Sequence, residues 1–116
     1  MAAPNLLGTT TVTGKTALAT LSTVTSNVIT NSSASSTVDK LNAIVLSNNS
    51  GTAVTANVMI NRSSSVYYIG GNVAIPANST LALLGKDTSV YLEEGDVLQA
   101  NSSATVSIIA SYELMS

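Results

Sequence analysis

The chain has 116 residues, of which 9% are charged; it has no His, Cys, Trp or Phe and a formal net charge of −2. Those absences exclude disulfides and soft-metal sites, and they leave little for acid–base catalysis, where His is the usual group. The basic residues Lys15, Lys40, Arg62 and Lys86 are scattered, whereas nucleic acid selects clustered Lys and Arg.

Residues 1–8 read as an extended, uncharged arm. Its first residues have no basic region and no long apolar core, so they do not read as a secretory signal. Pro4, Leu6 and Leu7 are its candidate interface residues, because a free apolar arm gains by burial on a neighbouring subunit. Residues 9–116 read as one all-β domain, with hydrophobic period two almost throughout. Thr9–Leu21 and Thr23–Thr30 are Thr- and Val-rich strands, followed by a polar loop at Ser32–Ser36. Leu18–Val28 fits helical spacing but is loaded with Thr and Ser, which disfavour helix interiors. Leu41–Ser47 contains the continuous run Ala43-Ile44-Val45-Leu46, expected of a central strand covered on both faces. Asn48-Asn49-Ser50-Gly51 then predicts a hairpin to Ala53–Arg62, with Gly51 or Asn49 at positive φ. In that second strand Val54, Ala56, Val58 and Ile60 form the inward stripe.

Ser63-Ser64-Ser65 is the next turn, and Val66–Ile75 the next strand. Tyr67 and Tyr68 point to opposite faces of it: one ring is expected in the core and the other at a contact, and both are candidate interface residues. Gly70-Gly71 marks a bulge or a close backbone approach. Pro76-Ala77-Asn78-Ser79 leads to Thr80–Leu84, and Gly85-Lys86-Asp87 to Thr88–Leu92. Glu93-Glu94-Gly95-Asp96 reads as a charged turn with Gly95 at positive φ. A Ca²⁺ site is the alternative there, but the carboxylates lack an interleaved ligand pattern. Val97–Ala100 and Thr105–Glu113 complete the set. In the last, Val106, Ile108, Ala110 and Tyr112 face inward, and Ile109 is the misfit on the polar side. Eight or nine short strands at these spacings predict a single antiparallel β-sandwich, jelly-roll or Ig-like.

The chemical motifs are near misses. Gly14-Lys15-Thr16 resembles the end of a P-loop, but Gly8 is one residue too far and the segment reads as strand. Serines are abundant, yet none stands in a nucleophile elbow. Asn-x-Ser/Thr triplets begin at Asn31, Asn48, Asn61, Asn78 and Asn101 and are assigned to turns. No cofactor, metal or catalytic residue is expected, and no stretch approaches the length of about 18 apolar residues that spans a membrane. A surface of Ser, Thr and Asn repels copies of itself weakly, which suits dense assembly.

Met1–Asn5, Thr13–Ala17, Ile75–Leu81, Lys86–Asp96 and the ending Ala110–Glu113 together resemble small virion structural proteins of marine tailed phages, notably those of cyanobacteria and abundant ocean bacteria. The resemblance implies a non-enzymatic particle component, assembled in the host cytoplasm and located in the virion. Its partners would be copies of itself and the major capsid protein. Capsid decoration is the first expectation. A neck or tail component comes second. A carbohydrate- or receptor-binding module on a tail fibre is the competing class, with Tyr67, Tyr68, Tyr91 and Tyr112 as its available rings.

Overall fold

The computed structural model describes residues 11–85 and 90–116. Among these residues nine strands run in chain order: β1 (Val12–Leu21), β2 (Ser26–Thr30), β3 (Val38–Asn48), β4 (Val54–Arg62), β5 (Ser65–Ile75), β6 (Ser79–Leu84), β7 (Val90–Leu92), β8 (Val97–Ser102) and β9 (Val106–Met115). There is no helix among the described residues. Leu18–Val28 contributes to β1 and β2, as its Thr and Ser content requires.

All pairings are antiparallel, in two sheets. One has the order β1-β9-β3-β6, with β7 also on β3; the other has the order β2-β8-β4-β5. Strand β6 pairs with the Ile44–Asn48 half of β3, and β7 with its Asp39–Leu41 half, so the two form one interrupted edge. Taking them as one strand, only β4–β5 connects neighbours within a sheet, and every other connection crosses between sheets. This eight-strand order is the jelly roll, built from two Greek keys, and not the Ig order.

The predicted β3–β4 hairpin is therefore wrong. The two strands lie in different sheets, and residues 49–53 arch between them. Gly51 does not have positive φ, and a Cβ there would meet nothing within 4 Å. A tight polar connection is compatible with both hairpin and arch; the choice falls to whichever buries both inner faces. The true hairpin is β4–β5, where Ser63 (φ 53°) and Ser64 (φ 66°) make a two-residue turn with both centres left-handed.

The core lies between the sheets and is aliphatic, with Leu21, Leu41, Ile44, Leu46, Ile75, Leu98 and Ile108 fully buried. The inward stripes of β4 and β9 hold: Val54, Ala56, Val58, Val106, Ile108 and Ala110 are buried, while Ile60 and Tyr112 pack against the core half-buried. Met59, on the opposite side of the β4 stripe, is buried too. Strand β3 is central, but only one face is covered by the other sheet. A register shift between Leu41 and Ala43 precedes the apolar run, and Ala43 and Val45 are half-buried on the outer side. Gly70 is both bulge and close approach. Register shifts flank Val58, its partner, and a Cβ on Gly70 would come within 2.8 Å of Val73 and 2.9 Å of Leu83.

Two buried asparagines, both assigned to turns by their Asn-x-Ser triplets, tie down the loops. At one end, Asn31 donates through Nδ2 to the carbonyls of Thr37 (3.1 Å) and Leu92 (3.0 Å), and its Oδ1 accepts from Ser35 (2.6 Å). At the other, Asn48 donates to the carbonyls of Thr52 (2.9 Å), Ile75 (3.2 Å) and Pro76 (3.2 Å). Asn61 and Asn101 lie within β4 and β8, and Asn78 alone sits in a turn, at φ 54°.

Candidate functional site

The outer face of the β1-β9-β3-β6 sheet carries the clearest candidate. In β1, Ala17 and Ala19 face the core, so Leu18 points outward between Thr16 and Thr20. Its partner across the ladder is Ile109, the residue that broke the polar pattern of the last strand. Ile109 in turn lies opposite Val45, and Val45 opposite Ala82. The result is an apolar row across four strands. Leu18 is 73% exposed and Ile109 38%. Hydroxyl residues border the row: Thr16 and Ser111 on one side, Thr20, Ser107 and Ser47 on the other. None of these residues is charged. The signal in the sequence was Ile109 itself, an apolar residue out of phase with its strand.

The second candidate lies on the opposite flank, where β5 and β7 are edges. Tyr67 pairs with Ile60, so the two share a side of the sheet. They line a hollow of about 280 Å³ together with Arg62, Val90 and Tyr91. The expectation that one of the adjacent tyrosines fills the core is wrong: Tyr67 is 61% exposed and Tyr68 63%. The inner face of β5 runs past the aliphatic core here, so its ring lies over half-buried Ile60 and is left largely in water. Both remain available as surface residues. Pro4, Leu6 and Leu7 lie outside the described residues.

Beside the hollow, the β7–β8 turn is the charged turn expected, with Gly95 at φ 88°. Arg62 grips it. Its Nε donates to Asp96 Oδ1 (2.7 Å), and Nη2 donates to Asp96 Oδ2 (2.6 Å) and Glu93 Oε2 (3.1 Å). The hydrogen bonds to Asp96, chiefly, hold the guanidinium charged well beyond its ordinary range. The backbone N–H of Glu93 also donates to Asp96, and that of Ser36 to Glu94. These carboxylates thus serve to close the turn and fasten it to the β2–β3 loop. Among the described residues, no group of three or more His, Cys, Asp or Glu is placed to hold a metal ion. Gly14-Lys15-Thr16 lies within β1, paired along β9, and not at a strand-to-helix junction.

Among the described residues, Asp39 is the one buried carboxylate without such closure. It is 1% exposed, and its Oδ1 has no hydrogen-bond partner. Burial pushes its carboxyl up, and Lys15 partly offsets this; the Asp39 charge in turn adds to the burial that raises Tyr112. The folded carboxyl holds its proton to higher pH than the unfolded one, whose ordinary value is 3.8. This contribution to stability is complete below that value and is lost as pH rises through the raised one. Asp39→Asn is therefore expected to raise the melting temperature at neutral pH. The gain over the parent should shrink as pH falls toward 3.8. A gain independent of pH would show that the buried charge is not its source.

No family model, curated protein or solved structure matches this chain.

Proposed function

We propose that this chain is a non-enzymatic structural subunit of a tailed-phage particle, attached in many copies to the capsid through the outer face of its β1-β9-β3-β6 sheet. The observation that carries the reading is the uncharged row Leu18–Ile109–Val45, bordered by hydroxyls. A soluble monomer is served by charge on such a face; a subunit packed among others is served by its absence. The jelly roll supports the reading by analogy, since viral capsid domains use it, though lectin domains and cupins do as well. The sequence resemblance supplies the phage, with a neck or tail position as the alternative.

Magnitudes explain why many copies matter. Burial of a fully exposed aliphatic side chain contributes about 2 kcal/mol; Leu18 is largely exposed, Ile109 partly so and Val45 already half-buried, so covering the row supplies about 3 kcal/mol. Association costs about 4–15 kcal/mol in lost freedom. One row is marginal alone and becomes effective when neighbouring copies share the attachment.

The test is a double variant, Leu18→Lys with Ile109→Lys. Both side chains are exposed, so the melting temperature is expected to stay within about 2 °C of the parent's. Co-sedimentation with capsids should be lost. A variant that still loads onto capsids at the parent's occupancy would rule out this face. Imaging of a loaded particle separates head from neck or tail.

A further inference from the structure

We propose that the chain self-associates through the edge of β5, which pairs antiparallel with β5 of a second copy about a two-fold axis at Tyr67. This edge belongs to the sheet that does not carry the attachment face, and the inference does not depend on that reading. Among the described residues the two sheets end in four edges: β1, β2, β5 and the β6–β7 pair. An open edge accepts another strand unless charge, short length or interruption guards it. Strand β1 carries Lys15. Strand β2 has five residues and a register shift. The β6–β7 edge is split between the two halves of β3. Strand β5 has 11 residues, with no charge and no proline. Its register shifts lie beyond Tyr68, so Ser65–Tyr68 is regular and unguarded.

Backbone geometry sets the register. The β4–β5 turn has two residues, so Arg62 and Ser65 are its hydrogen-bonded closing pair, and Ile60 and Tyr67 are the next such pair. The N–H and C=O groups of Val66 and Tyr68 therefore point to the free edge, where they have no partner among the described residues. Antiparallel pairing about Tyr67 puts Val66 opposite Tyr68 of the second copy, and these two residues exchange both backbone bonds. Tyr67 meets Tyr67 of the second copy at the closer, non-hydrogen-bonded position, which brings the two rings together. What commits the edge to a second copy is this self-match. Val66, Tyr67 and Tyr68 are all exposed. Each meets an apolar or aromatic side chain on the same face, and an uncharged strand meets itself without like-charge repulsion. More than half of each tyrosine is open, which amounts to about 250 Å² per chain for the two. That is well below the roughly 800 Å² per partner of a stable complex, so the free pair is weak.

The experiment follows the full chain by sedimentation equilibrium and ¹H–¹⁵N NMR as its concentration is raised. A monomer–dimer equilibrium with a Kd of about 0.1–1 mM is expected, with concentration-dependent shifts and slowed amide exchange at Val66 and Tyr68. Val66→Lys with Tyr68→Lys sets like charges opposite each other across the axis and should weaken association about tenfold or more. Val66→Lys with Tyr68→Glu sets opposite charges there and should associate within about threefold of the parent. Both positions are exposed, and unchanged shifts elsewhere verify the fold. The proposal is overturned by a chain that stays monomeric at about 1 mM, by a dimer whose shifts lie away from β5, or by equal weakening in the two double variants. It is also overturned if the Val66 and Tyr68 amides are already protected in the dilute monomer, which would assign the edge to a segment of the same chain. Protection that arises only when capsids are added would assign the edge to another protein and overturn it as well.

Discussion

Asn48→Asp is expected to lower the unfolding free energy by about 4 kcal/mol at neutral pH. Asn48 is fully buried, and its partners set the orientation of the amide. The carbonyls of Thr52, Ile75 and Pro76 can only accept, so they face Nδ2; the Ser50 backbone N–H can only donate, so it faces Oδ1 (3.0 Å). Aspartate keeps the shape and reverses the chemistry on one side. A carboxylate oxygen then meets three carbonyl oxygens with no water to screen them. Asn48→Ala removes the bonds without adding the repulsion, and its loss should be smaller, about 2–3 kcal/mol. Urea unfolding of both variants measures the difference. Equal losses would mean that the site relaxes or admits water around the new charge.

Arg62→Gln is expected to cost about 2 kcal/mol by the same measurement. The variant removes both arms of the fork to Asp96 and leaves that buried carboxylate with the Glu93 N–H at 2.8 Å. The loss is smaller than the roughly 3–5 kcal/mol of a fully buried pair because the Arg62 side chain is 48% exposed and partly solvated. Arg62→Lys should recover only part of the loss, since a single ammonium cannot reproduce two parallel bonds. Full recovery by Lys would show that charge alone, and not the fork, closes the β7–β8 turn.

The sequence by itself determined the class of fold. Alternation in Val54–Ile60 and Val106–Tyr112 set which residues face inward, because a strand's side chains alternate whatever it is paired with. Gly70 and Gly95 were legible as special backbone positions for a similar reason: the lack of a Cβ is a local property. Ile109 was legible only as an irregularity. It became part of a surface when the β1–β9 and β3–β9 ladders put Leu18 and Val45 on either side of it. What only the tertiary structure decided is pairing. Asn48-Asn49-Ser50-Gly51 carries the same turn chemistry in a hairpin and in an arch, and the second was chosen because β3 and β4 each contribute an inner face to opposite walls of the core. The roles of Asn31 and Asn48 followed from that choice. Their carbonyl partners come from loops and strand ends as far as 61 residues away in the chain. Arg62 and Asp96, 34 residues apart, meet for the same reason. A side chain's partners across the sandwich depend on strand order, and period and composition do not encode strand order.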